Sequence, residues 1–148
     1  MTTDILKIFF NRDLNLLKNE IESYQHEKNI WHVEPRISNS AGNLSLHLIG
    51  NLNAYIGVGL AKTNYIRQRD LEFLLKDIPK KELISRVEET KIMVELCLSN
   101  ITEMEMESDF PIVIFDKPTG MLFTLVHLLS HLNYHLGQIN YHRRLLDK

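Results

Sequence analysis

The sequence predicts an all-α protein: a four-helix bundle with a long crossover between its second and third helices. Three observations predict it. Prolines and glycines are scarce, 4 and 6 in 148 residues, and Pro35, Pro111 and Pro118 fall between long periodic segments. Apolar residues recur at helical intervals in four stretches separated by turn-forming runs. The last stretch places His127, His131 and His135 at every fourth residue, which on a helix is one face. The length suits a single domain over 1–148, and 44% hydrophobic residues suffice for a core.

The first helix is expected from Thr3 to Gln25. Ile5, Ile8, Phe9, Leu16, Leu17 and Ile21 approximate the i, i+3, i+4 pattern, with Lys7, Lys18, Glu20 and Glu22 on the other faces. A connector follows from His26 to Gly42, holding Trp31, Pro35 and the turn-forming Ser38-Asn39-Ser40. The second helix, Asn43 to Lys62, is nearly uncharged and so is expected to be buried on most of its circumference. Thr63 to Asp77 reads as the crossover, with some helix or turn in it. The third helix starts at Asp77-Ile78-Pro79, with Asp77 as cap and Pro79 in the first turn, and runs to Thr102. Glu103 to Pro118 is a connector, first acidic, then an extended Pro111–Phe115 covering one end of the bundle. The fourth helix runs from Thr119 to Leu146.

Composition excludes several function classes. A net charge of −2 provides no basic field for nucleic acid. The lone Cys97 permits no internal disulfide and, set in the apolar run of the third helix, reads as a small core residue. The amino-terminal segment is charged and amphipathic, unlike a signal peptide, and no apolar run approaches the ~18 residues of a membrane span. A cytoplasmic protein is expected. There is no Gly-rich phosphate loop, no Gly-x-Ser-x-Gly elbow and no Glu-x-x-His pair for a di-iron centre.

The histidines carry the chemistry. At about 100° per residue, His127, His131, His135 and His142 lie within about 80° of arc. They flank the apolar stripe of Leu125, Leu128, Leu132, Leu136 and Ile139. Neighbours four apart are about 6 Å apart along the axis, the spacing of helical two-histidine metal sites. His127 and His135, about 12 Å apart, are too far to share an ion, and so is His142. Spacing leaves two pairs open, His127/His131 and His131/His135. His47 is the natural third ligand, because an imidazole in so apolar a helix needs a partner.

Gly50, Ala54, Gly57 and Ala61 lie within about 60° of arc on the second helix, leaving room for a close backbone or a ligand. Asn51 and Gln138 each stand one turn on from a histidine, where they would orient a ligand or bound water. Phe123, Tyr134 and Tyr141 group beside the histidines, away from the aliphatic stripe. A helix so apolar is expected to be covered on more than one side, and an isologous homodimer would do so.

His47-Leu-Ile-Gly-Asn-Leu, followed far downstream by His131-Leu-Asn-Tyr-His135-Leu-Gly137-Gln138-Ile139, resembles the DinB-like superfamily of metal-dependent enzymes. The stretch Tyr65-Ile-Arg67-Gln-Arg69-Asp70-Leu-Glu72-Phe73 is similar to the crossover of one uncharacterised branch. The resemblance spans nearly the whole chain. It implies a four-helix bundle and a three-histidine centre for nickel or zinc, completed by water. The implied ligands are His47, His131 and His135, with His127 a neighbour of the site, and homodimers are common in that superfamily. Relatives there include bacillithiol transferases and the metal-binding domain of mycothiol-dependent maleylpyruvate isomerases. The expected function is therefore a metal-dependent thiol transferase or hydrolase acting on a small molecule. The alternatives are a non-catalytic metal-binding or stress-response bundle, and a structural homodimer whose histidines are core polar groups.

Overall fold

The computed structural model describes residues 2–148. Among the described residues six α-helices form, in chain order: α1 (Thr2–Glu22), α2 (Ala41–Leu52), α3 (Arg69–Leu74), α4 (Lys80–Asn100), α5 (Glu103–Met106) and α6 (Met121–Leu146). A 3-10 turn, Glu27–Trp31, precedes α2, and a π-helical segment, Asn53–Val58, continues it. Among the described residues there is no β-strand, only isolated bridges at Glu34–Ile37 and Asp109–Gly120. None of their helices is long and apolar enough to cross a membrane.

The long helices surround one apolar core. α1 packs on α4 and α6, and α2 packs on α3, α4 and α6. Every residue of α2 is buried, as its lack of charge predicts. Ser40 starts this helix by accepting a hydrogen bond from the Asn43 backbone N–H (3.1 Å). α6 buries Leu125, Leu128, Leu132, Leu136 and Ile139, the aliphatic stripe read from the sequence.

Several local expectations are corrected. The core face of α1 is Leu6, Phe10, Leu14, Leu17 and Ile21, whereas Ile5, Ile8, Phe9 and Leu16 are exposed. This helix carries two apolar stripes, and the helical period does not say which one the core covers. Asp77 does not cap α4. It sits in the left-handed region (φ 57°), and Pro79 is the N-cap residue, just before Lys80. Across residues 111–115, expected as an extended segment, residues 111, 112 and 115 are bends and residues 113–114 carry no regular structure. Ile112 and Ile114 from this stretch lie partly buried against the core, beside the buried Phe110.

His142, expected only among the surroundings of the metal face, is fully inside. Its Nε2–H donates to the His32 carbonyl (2.8 Å), so its Nδ1 accepts from the Tyr24 hydroxyl (2.7 Å). This ties α6 to the chain on both sides of the 3-10 turn.

The turn itself fixes the entry to α2. A Cβ on Gly42 would stand 2.6 Å from Cε3 and Cζ3 of the buried Trp31 ring. A rigid indole cannot yield as a flexible side chain does, so Gly42→Ala is expected to destabilise the protein by about 1–3 kcal/mol. Urea unfolding of the variant beside wild type reads that difference directly.

Candidate metal centre

α2 and α6 bring three imidazoles together. His47 comes from the middle of the buried helix, and His131 and His135 from successive turns of α6. One ring nitrogen from each lies within 4.8 Å of the others. The ring centroids are 5.0 Å apart for His47–His131, 5.3 Å for His47–His135 and 4.6 Å for His131–His135. The rings stand at 76°, 88° and 90° to one another, edge towards face, so they converge on a point instead of stacking.

The contacts around the rings suit a cation. His47 Nε2 and His131 Nε2 are 3.1 Å apart, a hydrogen bond when one of them is protonated. Nitrogens bound to one ion at about 2.0–2.1 Å stand roughly 3–3.5 Å apart, so the same pair fits a metal in place of that proton. His135 Nδ1 is 2.7 Å from Gln138 Oε1. An amide oxygen only accepts, so Nδ1 is the protonated nitrogen and Nε2 is left with its lone pair. His131 Nδ1 is buried without a partner.

The electrostatics favour the neutral form of His131 and His135, the form that binds metal. Burial pushes His131 down to about 4, helped by the positive potential of His135, His47, His127 and Arg67. Burial also lowers His135, with the Gln138 hydrogen bond opposing and His47 adding to the fall. On the far side of His47 stands a carboxylate: Glu72 Oε1 lies 3.0 Å from Nδ1. Burial pushes the Glu72 carboxyl up, but hydrogen bonds from His47 and Arg67, with Arg67's charge, outweigh it and hold the group below its ordinary range.

The sequence-derived positions divide as follows. His47, His131 and His135 form the cluster, and Gln138 bonds one of its members. His127 lies beside it, its ring stacked 6.5 Å from His131 and edge-on to Phe115 at 4.8 Å. Asn51 is buried with Oδ1 unpartnered and bonds none of the three histidines. Sequence reasoning missed Arg67, Glu72 and Phe73 as parts of the site; the Phe73 ring is 5.1 Å from His47. A cavity of about 420 Å³ opens beside His135, lined by Arg36, Leu44, Tyr134, Gln138 and Tyr141 among others. A larger one, about 680 Å³, lies along α4 and touches none of the three histidines. Cys97 borders that larger cavity, and burial above all, with Glu105 adding and Lys62 opposing, pushes its thiol up to about 11. It is therefore no thiolate near neutral pH.

Fold and cluster define an all-helical protein with three close histidines able to hold a metal ion. The chain belongs to the protein family of unknown function DUF1572, whose model matches residues 5–148. Comparison with curated proteins and with solved structures gives no match.

The depressed His131 gives the metal-free protein a defined acid sensitivity. An unfolded histidine takes a proton near pH 6.5, while the folded one resists until about 4. Between those values the unfolded state binds more protons, so stability falls as the pH falls. The urea midpoint should drop from pH 6.5 towards 4, and His131→Leu should flatten part of that slope. A slope identical in the two proteins would contradict the assignment.

Proposed function

We propose that this chain is a single-domain, DinB-like four-helix bundle in which His47, His131 and His135 hold one nickel or zinc ion. The supporting observation is the convergence of three imidazole nitrogens within 4.8 Å, two rings from one helix and one from another. Three protein ligands leave coordination positions open, as in catalytic rather than structural sites. A divalent ion there would supply a Lewis acid for a bound thiol or water. We read the reaction as thiol transfer to, or hydrolysis of, a small molecule, with the cavity beside His135 as the place for that substrate. The elevated Cys97 thiol is unsuited to the role of nucleophile, which supports an external thiol or water. A cytoplasmic location agrees with this chemistry.

One observation favours a second reading, a non-catalytic metal-binding protein: the cavity touches His135 but neither His47 nor His131. Elemental analysis after nickel or zinc repletion tests what the two readings share. One ion per chain is expected in wild type and none in His131→Ala. Metal at 100 times its dissociation constant should raise the unfolding free energy by about 2.7 kcal/mol. Absence of stoichiometric metal from wild type would sink both readings. If metal binds, turnover in a panel of thiols with electrophiles, esters and amides selects the enzyme, and silence favours the binder.

We further propose a homodimer. Phe123, Tyr134 and Tyr141 on α6 are more than 60% exposed, and the neighbouring α1 exposes Ile5, Ile8 and Leu16. So much uncovered apolar surface on two adjacent helices suits a second copy of the chain. Light scattering should give twice the chain mass for wild type and the single mass for a Phe123→Glu/Tyr141→Glu variant.

A further inference from the structure

We propose that Glu72 is the positioning residue of the histidine cluster: its carboxylate holds His47 in the Nδ1–H form, so that the Nε2 lone pair faces His131 and His135. The purpose of this arrangement rests on the metal-binding reading, but the arrangement itself does not.

The chain devotes three features to bringing Glu72 there. Asn43 donates from Nδ2 to the backbone carbonyls of Glu72 (2.9 Å) and Leu75 (2.8 Å), fastening α3 along α2. Gly50 supplies the space, since a Cβ there would stand 2.6 Å from Glu72 Cδ and closer still to the carboxylate. Arg67 clamps the group from the solvent side, with Nε on Oε2 and Nη2 on Oε1, both 2.9 Å. The Arg67 guanidinium in turn lies over the Tyr55 ring at 5.7 Å. A carboxylate only 6% exposed is costly to bury unless each oxygen is answered, and here each is.

The tautomer follows from the donors and acceptors. An ionised carboxylate only accepts, so the 3.0 Å contact requires the proton on His47 Nδ1. Arg67 Nη2 also approaches Nδ1, at 3.4 Å, and would favour the opposite tautomer. It already has the shorter bond to Glu72 Oε1, and the charge-assisted contact to the carboxylate is the stronger of the two. With Nδ1 protonated, Nε2 is the acceptor nitrogen, 3.1 Å from His131. A carboxylate behind a histidine also makes the ring a more basic ligand, and losing one costs metal affinity about 10–100-fold.

The test compares wild type with Glu72→Leu and Glu72→Gln, first without metal. Nitrogen NMR of the imidazoles should report His47 as Nδ1-protonated in wild type and in Glu72→Gln, which keeps an accepting oxygen. Glu72→Leu should lose that signature. Titration with zinc in competition with a chelator should then show an affinity loss of about 10–100-fold for Glu72→Leu and a smaller one for Glu72→Gln. An unchanged His47 tautomer in Glu72→Leu overturns the proposal, and so does a zinc affinity within about twofold of wild type. Should Glu72→Leu fail to fold, Arg67→Met releases the clamp while sparing the carboxylate. A mixed tautomer and weaker zinc binding are expected there, and wild-type values for both overturn the proposal. A wild type that takes up no zinc yet shows a Glu72-dependent tautomer defeats the metal reading while supporting the positioning role.

Discussion

An imidazole inside a fully buried helix has to be answered on both nitrogens, and much of this molecule is arranged around that requirement at His47. One nitrogen meets Glu72 from the crossover and the other meets His131 from α6. Neither partner is near in sequence, so both must be delivered by packing. The apolar stripe of α6 sets the rotation of that helix, which turns the flank carrying His131 and His135 towards α2. Asn43 and Gly50 do the equivalent work for the crossover, one by tethering its backbone and the other by yielding space to its carboxylate.

The histidine cluster and the core are thus parts of one packing solution. α1 and α4 contribute no residue to the cluster, yet α1 packs on α6 and α4 packs on α2, so they fix the separation between the helices that do. The polar contacts buried elsewhere serve the same end. His142, held between Tyr24 and the His32 carbonyl, locks the last turns of α6 against the segment that leads into α2. A shift of α6 along its axis would break these bonds.

The sequence made the helical class legible because proline and glycine lie between periodic segments, and because α2 lacks charge on all its faces. It made the three histidines legible through their four-residue repeat and through the anomaly of a histidine in so apolar a stretch. The face of α1 was not legible, since two apolar stripes of similar strength share that helix and only tertiary packing chooses between them. Glu72 was not legible either. It stands in a short charged run with Arg69 and Asp70, and nothing local separates an acid that turns inward from one that remains in water. The clue lay 22 residues upstream, in the missing side chain at Gly50.

That missing side chain amounts to a two-letter signature for sorting sequences of this family. A glycine three places after the helical histidine, with a glutamate 22 places beyond it, marks a chain with space for this carboxylate. A larger residue at the first place would meet the carboxylate, which would have to shift from its present position. The two positions are therefore coupled through one contact, although they belong to different helices.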